Sequence, residues 1–412
     1  MQAACTISCF LDILQICVRL AQLRRERAKD LTRLAEVFGA FLRLGLTSFG
    51  GPVAHIGYFR AEFVTRRNWL SDDDYAELVA LCQFLPGPAS SQVGFALGLM
   101  RAGWLGALAA FVGFTLPSAL IMLAVALGAG LAGLSGVIAG LKLVAVAVVA
   151  QAVLGMARTL CPDRSRATVA VFAVVALAVL SGPWVMVAVI LVGGLVGAAL
   201  RLETGTSAGA LHIPVARPVA WAALILVALG LLGLPLLAGH GAGLALADSM
   251  FRAGALVFGG GHVVLPLLQA ELVAPGHITE SAFLTGYAAA QAIPGPLFTF
   301  ATYLGGLSGL TGALIATLAV FAPGFLLLVG VLPFWQAVRG AKAVRAGMAG
   351  ANAAVVGILG AALYDPVFTS AVDTMAQFGF ALACFVALQI WRLPAWAVVL
   401  GAGLAGAAGL AA

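Results

Sequence analysis

Apolar residues run along this chain in blocks, at roughly 34–58, 75–100, 103–129, 133–157, 167–181, 184–200, 218–237, 243–268, 281–304, 310–334, 346–363, 373–391 and 394–411. Polar and charged positions fall mainly between them. Within a block Ala, Leu, Val and Gly follow one another without the alternation a barrel strand needs. A helix crosses a bilayer with roughly 20 apolar residues and satisfies its own backbone hydrogen bonds. The pattern predicts an all-α polytopic membrane protein with about 13 transmembrane helices. Two blocks, 75–100 and 281–304, carry a Pro-Gly-Pro in the middle, so re-entrant hairpins stay open there as an alternative to crossings.

The interruptions repeat. Phe49-Gly50-Gly51-Pro52 returns as Phe258-Gly259-Gly260-Gly261 at an offset of 209, and Leu85-Pro86-Gly87-Pro88 as Ile293-Pro294-Gly295-Pro296 at 208. Arg43 matches Arg252, Glu62 matches Glu271, Gln83 matches Gln291, Leu70-Ser71-Asp72 matches Ile278-Thr279-Glu280 and Pro117 matches Pro323. The expected organisation is a lead-in at 1–33, a first repeat at 34–201, a linker with one helix at 202–242 and a second repeat at 243–412. If every block crosses, seven crossings separate the two repeat starts and the second half is inverted. If the Pro-Gly-Pro blocks are re-entrant, six do, and the halves run parallel. Matched Gly/Pro interruptions in two apolar halves point to the binding site of a secondary transporter.

Composition agrees with a membrane protein. At 62% hydrophobic, 9% charged and a mean hydropathy of +1.09, the chain has too little polar surface to coat a soluble globule of 412 residues. The net charge of +6 sits at block ends, which reads as topology and speaks against nucleic acid as a partner. With Arg24, Arg25, Arg27, Lys29 and Arg33 in the cytoplasm, Arg101, Arg158, Arg164, Arg166, Arg201, Arg217, Arg339, Lys342, Arg345 and Arg392 also fall inside. One loop disagrees, placing Arg60, Arg66 and Arg67 outside. Residues 1–30 put Cys9-Phe10-Leu11 ahead of Arg24-Arg25-Glu26-Arg27, the reverse of a secretory signal. They read as a cytoplasmic amphipathic lead-in or as a start placed too far upstream. Six scattered cysteines and five dispersed histidines predict no disulfide framework, no metal and no cofactor.

The chemistry centres on the breaks. A Pro-Gly-Pro stops one helix and starts another whose free N–H groups attract anions. After Pro86-Gly87-Pro88 come Ser90 and Ser91, and after Pro294-Gly295-Pro296 comes Thr299, so the first half offers more hydroxyl donors. The same argument makes Phe49, Gly50, Gly51, Pro52 and Phe258, Gly259, Gly260, Gly261 candidates, with close helix packing as the alternative role. An arginine inside a span is costly and marks function unless it snorkels or pairs. Arg252 has Asp248 four residues back, whereas Arg43 has Gly39 there, which leaves Arg43 as the freer cation. His55, His262, Gln83 and Gln291 flank the breaks as further binding candidates, and Glu62 and Glu271 are candidates for proton coupling.

F-G-G-P, L-P-G-P and their counterparts F-G-G-G-H and I-P-G-P resemble the chromate ion transporter family in its long, two-domain form, over residues 34–411. The resemblance implies a multi-pass protein of the bacterial inner membrane that exports chromate and confers resistance to it. It also implies a link to proton exchange, and sulfate as a related substrate. The chain itself lacks the G-x-x-x-x-G-K-[ST] loop of an ATP-driven pump. An enzyme on lipid phosphates would want paired acid and base groups in the membrane, and none cluster. An anion channel remains the other reading, and a homodimer is left open.

Overall fold

The computed structural model describes residues 31–48, 51–128, 135–180, 185–202, 213, 215–257, 264–335, 341–369 and 371–410. Sixteen α-helices stand among them. In the first half these are α1 (residues 31–47), α2 (Gly51–Phe59), α3 (Asp72–Phe84), α4 (Ala89–Gly128), α5 (Ser135–Leu160), α6 (Arg164–Val179) and α7 (Val185–Ala199). After the connecting α8 (Arg217–Leu237) come α9 (Ala242–Leu256), α10 (Val264–Leu272), α11 (Glu280–Ala292), α12 (Phe300–Gly306), α13 (Leu310–Val331), α14 (Lys342–Ala362), α15 (Met375–Gln389) and α16 (Ala395–Ala407). Five of these segments are long and apolar enough to cross a membrane. Leucines such as Leu195, Leu232, Leu236 and Leu404 stand 71–78% exposed on the outside, where hydrocarbon is the fitting solvent.

Local sequence sets the helix ends in matched fashion. Ser71 Oγ accepts from the Asp74 amide (3.1 Å) to open α3, and Thr279 Oγ1 accepts from the Ala282 amide (3.3 Å) to open α11. Both helices stop where a residue precedes proline and is forced into extended backbone, Leu85 in one half and Ile293 in the other. The glycines that follow, Gly87 (φ 121°) and Gly295 (φ 95°), occupy backbone space that other residues rarely enter.

Four of the thirteen apolar blocks fold back on themselves. At the start of α1, Glu36 pairs with Arg67 just beyond α2 (2.9 Å), and Phe41 stacks on Phe63. The block 34–58 is therefore a helical hairpin that returns to the face it left. α3 and the first limb of α4 do the same, because Arg101 reaches Glu36 (2.8 Å) and lies over the Trp69 ring. Non-helical angles at Ala102 and Gly103 then turn α4 into a second limb that crosses the bundle. In the second half, Arg252 pairs with Glu271 (2.7 Å) across α9 and α10, and the Tyr303 hydroxyl donates to the Ala282 carbonyl (3.0 Å) across α12 and α11. The turn into each crossing limb rests on glycine: a Cβ at Gly98 would strike the Gly106 carbonyl, and one at Gly305 would strike that of Gly312.

The two halves are inverted. α13 starts beside the open ends of the second-half hairpins and, about 33 Å later by helical rise, ends at Val331, one short turn before Trp335. There the indole Nε1 donates to Glu77 of α3 at the open ends of the first-half hairpins (3.1 Å). The two pairs of hairpins thus enter from opposite faces. The expectation that re-entrant Pro-Gly-Pro blocks would make the halves parallel is corrected, because the blocks at 34–58 and 243–268 are re-entrant as well. Five passes then separate the repeats: the second limb of α4, α5, α6, α7 and α8. The discordant loop also disappears, since Arg60, Arg66 and Arg67 lie on the face that carries Arg101, Arg158, Arg164, Arg166, Arg201, Arg217, Lys342, Arg345 and Arg392. Arg339 lies outside the described residues. The opposite face carries Glu280, Asp365 and Asp373 instead.

The halves also exchange partners. α5 of the first half packs against α11, α15 and α16 of the second, while α14 of the second packs against α6 and α7 of the first. Buried residues of α5 share one hydrophobic core with those of α11, α14 and α15.

Candidate functional site

The hairpin tips meet midway between the faces through a reciprocal pair of backbone bonds. The Gly87 amide of the first Pro-Gly-Pro donates to the carbonyl of Val257 (2.7 Å), and the Gly295 amide of the second donates to the carbonyl of Ser48 (3.0 Å). Ser48 and Val257 are matched residues, each closing the first helix of its half. Packing repeats the exchange. A Cβ on Gly87 would come within 2.8 Å of Gly324 Cα, and one on Gly295 within 2.8 Å of Ser118 Oγ. Gly324 and Ser118 directly follow the matched prolines, Pro323 and Pro117.

Around this crossing the first half is polar. His55 is fully buried; its Nε2 donates to the Ser48 carbonyl (3.2 Å), and Nδ1 faces Ser90 Oγ at 3.4 Å. Gln92 Nε2 donates to the carbonyls of Pro86 (3.0 Å) and Gly324 (2.8 Å), which ties the first tip to α13. The first bond within α4 runs from the Gln92 amide to Pro88, so the amides of Ala89, Ser90 and Ser91 precede it as donors at a positive helix end. Three buried hydroxyl groups here, on Ser48, Ser91 and Thr115, have no hydrogen-bond partner among the described residues. Buried polar atoms are nearly always satisfied, so a cluster of orphans calls for an explanation. The second tip is quieter. Its chain continues as a 3-10 turn in which the Thr299 amide and hydroxyl both donate to Pro296 (3.0 and 2.9 Å), and Phe298 is buried beside it.

A family described as "Chromate transporter" matches residues 35–198 and again 244–407, the two segments whose hairpins meet at these tips. The chain belongs to the chromate transporter family. It is 30% identical to a chromate transport protein of Pseudomonas aeruginosa over 90% of this chain and 91% of that one. A chromate transport protein of Cupriavidus metallidurans is 29% identical, covering 89% and 90%, and a probable chromate transport protein of Synechococcus elongatus is 31% identical, covering 72% and 75%. No solved structure matches. These relatives bear transporter names.

The charged candidates have separate fates. Arg252 bridges two carboxylates, Asp248 (2.8 Å) and Glu271 (2.7 Å), and is mostly buried. Glu62 is buried against Arg67 (2.7 Å) and Arg66 (3.3 Å), within a network at the open end that also holds Glu36, Arg101 and Trp69. Arg43 lies on the exposed side of α1 and has no ion pair among the described residues; its carbonyl accepts from Thr47 Oγ1 (2.8 Å). Gln83 is likewise exposed, while Gln291 is half-buried and its side chain meets Tyr287. Gly51 and Pro52 open α2, and Pro86, Pro88, Pro294 and Pro296 frame the tips. Phe49, Gly50, Phe258, Gly259, Gly260, Gly261 and His262 lie outside the described residues. No three His, Cys, Asp or Glu side chains among the described residues converge on a metal position.

Sequence reasoning missed Gln92, Ser118 and Glu77. Gln92 has no echo in the second half, where Phe300 stands at the matching position, so comparison of the repeats gave no signal for it.

Proposed function

We propose that this protein exports chromate across the bacterial inner membrane as a secondary transporter, with the oxyanion held where the hairpin tips meet. The observation that carries the reading is the reciprocal pair Gly87–Val257 and Gly295–Ser48, which closes two opposed hairpin sets on one central point. Each set opens to one face, so parting the tips on one side at a time exposes the point alternately. Donors for a tetrahedral dianion come from the amides of Ala89, Ser90 and Ser91 and from the orphan hydroxyls of Ser48, Ser91 and Thr115. Arg43, five residues before Ser48 and thus about 7.5 Å along the helix, supplies the unpaired cation.

The basic face is cytoplasmic by the positive-inside rule, which puts the N-terminal side of α1 inside. Export then runs with the field. A dianion leaving a cell at 100 mV, negative inside, gains about 2.3 kcal/mol per charge, roughly three decades of concentration ratio in all. Proton exchange is assigned to Glu271, which shares the one guanidinium of Arg252 with Asp248 and can take a proton without leaving a bare cation.

The test is chromate uptake into inside-out vesicles at fixed membrane potential, with and without a pH gradient and with sulfate as competitor. Saturable uptake that survives excess sulfate is the expected result. Uptake equal to that of empty vesicles removes chromate as the substrate. A pH-gradient response that persists in Glu271→Gln removes Glu271 from the coupling.

A further inference from the structure

A polar cavity lies away from the tips. It encloses about 470 Å³ between α5, α11 and the turn from α15 to α16, and its polar lining is Gln151, Gln291, Gln389 and Arg392. No carboxylate lines it. The backbone turn places Arg392 at its rim, on the basic face: the residue takes φ 56°, and the Leu393 amide closes on the Ala387 carbonyl (2.9 Å). Arg392 is exposed and makes no ion pair among the described residues. Gln151 Nε2 reaches the Leu388 carbonyl only at 3.4 Å, and half-buried Gln291, whose side chain also meets Tyr287, lines the inner end. Gln291 stands three residues before Pro294, so the cavity runs from a basic rim toward the second hairpin tip.

We infer that this cavity is a loading site for tetrahedral oxyanions, separate from the tips, in which Arg392 captures the anion and the carboxamides of Gln151 and Gln389 hold it. The donor set decides the chemistry. One guanidinium and two amide groups give directed N–H donors without a competing negative charge. The volume leaves room for an oxyanion with part of its hydration shell, each water taking ~30 Å³. The site is one-sided. In the matching connection between α6 and α7, from Leu180 to Val185, the sequence holds no basic residue. Loading from the basic face rests on the transport reading above; anion binding in the cavity does not.

Arg392→Gly is the informative variant, because glycine takes the left-handed turn without strain while the charge is lost. In inside-out vesicles the half-saturating chromate concentration rises about tenfold, the loss of one charge-assisted contact, while the maximal rate stays within about twofold. Arg392→Lys restores most of the difference, and Gln389→Leu produces a smaller rise. An unchanged half-saturation in Arg392→Gly, with uptake intact, overturns the proposal. If the wild type takes up no chromate, the transport reading fails on its own, and the cavity is read by equilibrium binding of labelled sulfate to purified protein at low ionic strength. Binding that Arg392→Gly weakens keeps the site. Equal binding by wild type and variant, or none by the wild type, overturns it.

Discussion

Arg43 and Arg252 occupy matching positions in the two halves, yet the first has no ion pair among the described residues and the second is held by two carboxylates. Two substitutions account for the difference. Gly39 stands one turn before Arg43 where Asp248 stands before Arg252, and Arg67, which pairs with Glu62, stands where the second half has Gly276 beyond α10. The tips diverge in the same sense. The first carries buried hydroxyls without partners, and the second has Phe298 and a self-satisfied Thr299. The repeat carries two sets of matched parts, one with an arginine outside any described ion pair and the other with its arginine anchored.

The comparison breaks first at the features both halves share. Gly87→Val and Gly295→Val are each expected to abolish chromate uptake, because a β-branched residue does not adopt φ 121° or 95° and its Cβ meets the other half. Activity in one variant alone would show that the tips are unequal even in their backbone. The arginines separate next. Arg252→Gln strands two carboxylates and should destabilise the protein by on the order of 3–5 kcal/mol, read as a lowered unfolding temperature in lipid nanodiscs. Arg43→Gln breaks no pair, so its stability should stay within about 0.5 kcal/mol while uptake falls. Equal destabilisation by the two variants would erase the distinction. Ser91→Ala and Thr299→Ala give the smallest effects. Ser91→Ala leaves stability unchanged and weakens apparent chromate affinity a few-fold, whereas Thr299→Ala costs about 1 kcal/mol of stability and spares affinity.

Much of this was legible in the chain. Helix breaks, the repeat and the matched caps at Ser71 and Thr279 are local, written in residue type and spacing. The return of α2 alongside α1 is not local, since it depends on Glu36 meeting Arg67 and Phe41 meeting Phe63 across a break. Apolar periodicity measures length and leaves direction open. One sign was present, however: Arg60, Arg66 and Arg67 sat on the wrong side of an all-crossing topology, and a hairpin at 34–58 is what corrects it. For the site, the freedom of Arg43 followed from Gly39, but the diversion of Glu62 required a partner that the second half lacks. The cross-link by Gln92 had no repeat to point to it.

The exchange of helices between halves also sets a schedule for biosynthesis. α5 is complete once the ribosome has passed Leu160, but two of its packing partners, α15 and α16, begin only at Met375 and Ala395. At ~5–20 residues per second, that gap holds the apolar face of α5 unpartnered for on the order of 10–50 s. A nascent first half is therefore an unfinished object in the membrane, and a ribosome that stalls near the C-terminus damages a helix made in the first half of the chain.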